Sequence, residues 1–166
     1  MFTLSGMLIT GMLTSSRLLG TRPSFAWLQD LHKFLSSTTL VLLIFHLLGL
    51  YLDDFVAFSE LQTLAPFLAS FEESFLEDDV IWLTLGSIAF WLVIVVDLSS
   101  RIKDKLPKKL WHSIHLSAFA IWILGGVHSW NIGSDVDNRF LLVAAAGVGT
   151  AVVLTLMGRL YSKFTD

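Results

Sequence analysis

HKFLSSTTLVLLIFH, residues 32–46, places a histidine at each end of a run that is otherwise almost wholly apolar. HLSAFAIWILGGVH, residues 115–128, repeats the arrangement with nearly the same spacing. An ionisable group at membrane depth is costly, and where one occurs it normally faces the interior of a helix bundle and has a partner. Two such pairs in one chain call for a common cause.

The surroundings of both stretches are those of a membrane protein. The chain has 166 residues, 54% of them hydrophobic, and a mean hydropathy of +0.71, well outside the range of ordinary water-soluble domains. A helix needs about 20 apolar residues to cross a hydrocarbon core about 30 Å thick. Leu31 to Leu52, Val80 to Ser99, Trp111 to Trp130 and Phe140 to Leu160 meet that length. Phe2 to Ser16 is shorter and lacks the basic segment that precedes the apolar core of a signal peptide, so it reads as a short first span. Its Ser5, Gly6, Thr10 and Gly11 suit a face that packs closely on a neighbouring helix. The expected architecture is an all-α integral membrane domain over residues 1–166, a five-span helical bundle. With no cysteine, disulfides, thiolate sites and cysteine-ligated clusters are excluded within these residues.

Charge orients the bundle. Ten of the 11 basic residues fall in three segments: Arg17, Arg22 and Lys33, then Arg101, Lys103, Lys105, Lys108 and Lys109, and finally Arg159 and Lys163. Five spans put those segments on one side, and an excess of Lys and Arg in short loops marks it as cytoplasmic. Ten of the 14 acids fall opposite, eight of them between Asp53 and Asp79. The expected topology has the N-terminus outside and the C-terminus in the cytoplasm. Between the second and third spans, FVAFSELQTLAPFLASF (55–71) reads as an amphipathic segment on the outer surface, either a plain interfacial helix or a lid over an outer site.

All five histidines lie in or at the ends of spans two and four. Those spans run in the same direction, so His32 and His115 sit toward the cytoplasmic side and His46 and His128 toward the outer side. Spacings of 14 and 13 residues correspond to about 20 Å of rise. Fourteen steps of about 100° bring His46 back to within roughly 40° of His32, whereas thirteen leave His128 about 140° away from His115. A change of winding is therefore expected in span four, and Gly125–Gly126 is the expected place, because glycine pairs are a usual cause of kinks. Zinc needs about four ligands converging at a point, which residues 20 Å apart cannot supply. A histidine proton relay would not require matched depths on two helices. Neutral imidazoles facing one another in two couples suit axial ligation of two stacked b-type haems, with satisfied interior histidines or a relay as the alternatives. His112, at the entrance of span four, reads as facing solvent or a haem propionate rather than as a ligand.

The LHKF of Leu31 to Phe34, the step to His46, the W-x-x-x-H of Trp111 to His115 and the step to His128 together resemble the ferric reductase-like transmembrane domain, over roughly residues 25–160. That family includes ferric reductases, NADPH oxidases and the membrane subunit of bacterial methionine sulfoxide reductase systems; the chain is most similar to its small stand-alone bacterial members, which implies a bacterial plasma membrane location. The resemblance implies that His32 and His115 share an inner haem and His46 and His128 an outer one. Larger members append flavin and nicotinamide domains, but here no G-x-G-x-x-G follows a predicted strand. A separate donor is implied: another protein, a quinol, or a flavin held at the cytoplasmic face.

Secondary candidates follow from what a haem needs. Propionates call for cations or N–H donors, which Arg17, Arg22, Lys33 and Arg101 offer on the cytoplasmic side and Arg139 and Trp130 on the outer side. Each also suits plain anchoring of a helix end at the interface. Phe119, one turn after His115, is the best placed aromatic to touch a macrocycle. The function expected is transmembrane electron transfer to an outer acceptor, a ferric chelate or oxygen if the outer face is open and a partner protein if it is covered. The alternative is a non-catalytic haem-binding or assembly subunit of a larger membrane complex.

Overall fold

The computed structural model describes residues 1–15, 26–52, 80–134 and 136–165. Six α-helices account for nearly all of them, with no strand among the described residues: α1 Phe2–Ser15, α2 Ala26–Leu52, α3 Val80–Arg101, α4 Lys108–Leu116, α5 Ala118–Ile132 and α6 Arg139–Thr165. Four segments are long and apolar enough to cross a membrane: Ala26–Leu52, Ile81–Arg101, Lys108–Ile132 and Arg139–Ser162. Phe2–Ser15 is a shorter apolar helix. Each span begins or ends a little beyond the apolar run that announces it, because backbone hydrogen bonding continues into polar residues that the hydrocarbon itself excludes. The outer amphipathic segment and Arg17 and Arg22 lie outside the described residues.

Several hydroxyls within the spans are satisfied locally. In α2, the hydroxyls of Ser36, Thr38 and Thr39 donate to the carbonyls of His32, Phe34 and Leu35, one turn back, at 2.8–2.9 Å. A serine–threonine run can therefore sit within an apolar helix without stranding donors in lipid. The start of α6 is capped by Asn138, whose Oδ1 accepts from the amides of Phe140 and Leu141 at 3.0 and 3.3 Å. The link between α3 and α4 is one 3₁₀ turn, Lys103–Lys105, followed by Pro107, which fits a position where no amide donor is needed.

The chain divides into two compact units, Met1–Leu42 with Asp137–Asp166, and Leu43–Val136. In the first, α1 packs along α6 and against the first part of α2. Leu4, Leu8 and Met12, one turn apart, are buried together with Ser5 and Thr10. A Cβ at Gly6 would come within 3.2 Å of Leu35, so glycine is what allows that approach. The short first helix is thus a packed element of its unit. In the second unit, α3 packs along α5 and touches α4, with Ser87, Ala89, Ala118 and Ile121 buried. The outward faces of α2 and α6 are strongly apolar and exposed, as with Phe34, Phe45, Val143 and Leu154, which suits contact with lipid.

The winding change in the fourth span is not at Gly125–Gly126, which lie inside α5. It is at Ser117, between α4 and α5. There the amide donates to the carbonyl three residues back, Ile114, at 3.0 Å, and the Ser117 hydroxyl donates to the same carbonyl at 2.6 Å. A serine side chain competing for a helix carbonyl is a known way to alter winding, and it acts here where neither glycine nor proline is present.

Candidate functional site

Within the second unit, α2 carries His46 and α5 carries His128, and the two imidazoles come together. Their ring centroids are 6.3 Å apart, with the planes nearly perpendicular at 89°. His46 is exposed and His128 half-buried. Nδ1 of His128 lies 2.9 Å from the backbone carbonyl of Trp82 in α3. A carbonyl can only accept, so Nδ1 carries the proton, and in the neutral ring the lone pair is on Nε2. The ring lies flush against α3 at Gly86, where any Cβ would overlap it.

His115, on α4, meets the same helix five turns further along. Its Nδ1 is 3.4 Å from Ser100 Oγ, at the long end of hydrogen bonding, and its ring stacks on Trp111, one turn back, at 5.1 Å and 27°. Trp82 and Ser100 are 18 residues apart in α3, a whole number of turns at about 100° per residue, and so share one face. Both histidines of the fourth span therefore address one face of the third. In a straight helix thirteen steps fall about 140° short of four turns. The 3₁₀-type turn at Ser117 advances roughly 120° per residue, which is rotation in the sense required.

In the first unit, Nδ1 of His32 lies 2.9 Å from the carbonyl of Met7 in α1 and 3.4 Å from Thr10 Oγ1. Again the carbonyl identifies Nδ1 as the protonated nitrogen. A Cβ at Gly11 would stand 3.1 Å from Cε1 and 3.4 Å from Nδ1 of this ring. The structure thus brings His46 and His128 together; His32 belongs to one unit and His115 to the other.

No family model matches the chain, and no curated protein or solved structure matches it. The donor set itself must carry the chemistry. Among the described residues no group of three or more His, Cys, Asp or Glu could hold a metal ion. A haem arrives with four nitrogen donors of its own and asks the protein for two more. Two imidazoles bound on opposite sides of one metal ion, at about 2 Å each, would hold their ring centres roughly 6 Å apart. Edge-to-face aromatic pairs also fall at about 4.5–7 Å, so the separation alone does not distinguish ligation from packing. The Trp82 carbonyl leaves the lone pair of His128 on Nε2, the arrangement in which ligating histidines are characteristically held and in which an interior histidine with a partner is held as well.

The secondary candidates separate. Trp130, Arg139 and His112 are exposed, and Phe119 is half-buried. Arg101 is engaged in a two-point ion pair with Asp97, at 2.7 and 3.4 Å, so Asp97 has a partner in its own helix. Lys33 pairs with Asp30 at 3.3 Å. Two features were not anticipated from the sequence. One is the use of the Met7 and Trp82 carbonyls, for which Gly11 and Gly86 are the legible sign. The other is the indole N–H of Trp111, which is buried with no hydrogen-bond partner among the described residues.

Proposed function

We propose that this chain is a bis-haem b-type electron-transfer protein of the membrane, conducting electrons from the cytoplasmic side to an acceptor at the outer face. The observation that carries the reading is the His46–His128 couple at 6.3 Å, with Nδ1 of His128 committed to the Trp82 carbonyl. His46 and His128 would hold the outer haem, and His32 with His115 the inner one. A bound haem supplies a one-electron couple whose potential depends on its axial ligands, burial and hydrogen bonding. The chain's own contribution would be to aim those imidazoles and to fix the tautomers of His32 and His128.

Phe119 would line a macrocycle, Arg139 and Trp130 would meet propionates on the outer side, and Arg17 would do so on the inner side. The donor would be a separate protein, a quinol or a flavin at the cytoplasmic face. A ferric chelate, oxygen or a partner protein would take the electron outside. The support is chemical: His46 and His128 come together, and His32 and His128 are each oriented by a backbone carbonyl.

The test is a reduced-minus-oxidised spectrum of the purified chain with a pyridine haemochrome count. A b-type α band and two haems per chain are expected, falling to one in His46→Ala. A chain that binds no haem would leave only the assembly role, and retention of both haems by His46→Ala would refute the pairing. Rapid re-oxidation of the reduced protein by an added ferric chelate would make it an enzyme in its own right.

A further inference from the structure

The geometry points to α1 and α3 as paired positioning devices, each presenting a backbone carbonyl with a glycine one turn later that together seat a histidine edge-on and fix its proton on Nδ1. In α1 the pair is the Met7 carbonyl with Gly11, seating His32. In α3 it is the Trp82 carbonyl with Gly86, seating His128. The offset is four residues in both, and the Nδ1–O distance is 2.9 Å in both.

The offset has a physical cause. Helix side chains tilt toward the N-terminus, so the side chain at i+4 overhangs the carbonyl of residue i. Glycine at i+4 uncovers that oxygen. Its second lone pair can then accept from an outside donor while the helix bond is kept. Crowding of this kind does not attend every glycine: a Cβ at Gly49 or Gly147 would meet nothing within 4 Å.

The inference rests on the haem reading for its functional consequence, though not for the tautomer. A ligand whose Nδ1–H is held by a carbonyl is fixed in orientation and made more basic at Nε2. Each proposed haem would then have one clamped ligand, His32 or His128. The opposite ligand is held differently. Nδ1 of His115 lies 3.4 Å from the Ser100 hydroxyl and its ring stacks on Trp111, while the ring of His46 meets that of His128 edge to face. Gly11 and Gly86 are therefore positioning residues, acting through the imidazoles they admit.

Nitrogen-15 spectra of the histidine-labelled full chain in detergent micelles, recorded without added haem, test the device directly. Nδ1–H tautomers are expected at His32 and His128. Gly86→Ala should change the His128 signals and leave those of His32, Gly11→Ala should do the reverse, and Gly49→Ala should change neither. An Nε2–H tautomer at either position in the unsubstituted chain would overturn the proposal, as would a His128 signal unmoved by Gly86→Ala. With haem supplied, Gly86→Ala and Gly11→Ala should each bind one haem per chain and Gly49→Ala two. A parent chain that takes up no haem defeats the functional reading while the tautomers still decide the seats; if Gly86→Ala does not fold, the parent tautomers decide them alone.

Discussion

The second and fourth spans pose the same problem and meet it differently. Both carry a histidine near each end, 14 residues apart in one and 13 in the other. α2 runs unbroken from Ala26 to Leu52, and fourteen steps nearly complete four turns, so regular winding suffices. The fourth span is one residue short of that spacing and is divided at Ser117 into α4 and α5, with both of its histidines turned to one face of α3. A missing residue between two aimed side chains can be offset by a local change of winding, and a serine hydroxyl that binds a carbonyl of its own helix is enough to place it.

The sharpest way to break the comparison is to remove the regular spacing. One alanine inserted after Val41 in α2 should turn His46 by about 100° relative to His32. We expect one of the two proposed haems to be lost, read as the haem-to-protein ratio, and retention of both would show that helical register does not set the couple. A milder change addresses the break itself. Ser117→Ala removes the hydroxyl bond to Ile114, a contribution of about 1 kcal/mol, so the thermal midpoint should fall by a few degrees and the haem proposed at His128 should bind more weakly. An unchanged midpoint and full haem content would mean that the backbone alone sets the turn.

Smaller effects probe the groups beside the proposed ligands. Ser100→Ala deletes the hydroxyl near His115, and a redox titration should show a moved potential for one haem, the other unmoved and two haems still bound. Equal movement of both would contradict the assignment of His115 to a single site. Asp97→Asn separates the exposed pair with Arg101. Surface pairs of this kind contribute little, so haem content and midpoint should stay as in the parent chain, and loss of haem would give Arg101 a binding role.

Much of this was legible in the residues. Apolar runs located the spans, since only side chains that tolerate hydrocarbon can lie along a membrane helix. Ser5, Gly6, Thr10 and Gly11 announced the packing face of α1, because small side chains permit close approach, and Ser5 and Thr10 are buried there. The partnering of His46 with His128 followed from matched depth on helices of the same direction. The seats of His32 and His128 were not legible, because their acceptors are main-chain oxygens that every residue possesses. The winding break was misplaced at Gly125–Gly126 because composition favours glycine as a cause, whereas a helix in a packed bundle bends where a competing hydrogen bond is available.

Composition and spacing by themselves determined that this chain forms apolar helices long enough to cross a membrane, with two histidines about 20 Å apart along each of two of them, since both properties depend only on side-chain type and on rise per residue. Tertiary structure decided which nitrogen of His32 and of His128 carries the proton, and where the fourth span changes its winding. Those outcomes depend on which backbone groups a neighbouring helix uncovers, and a backbone group is exposed or hidden by packing, not by its own identity.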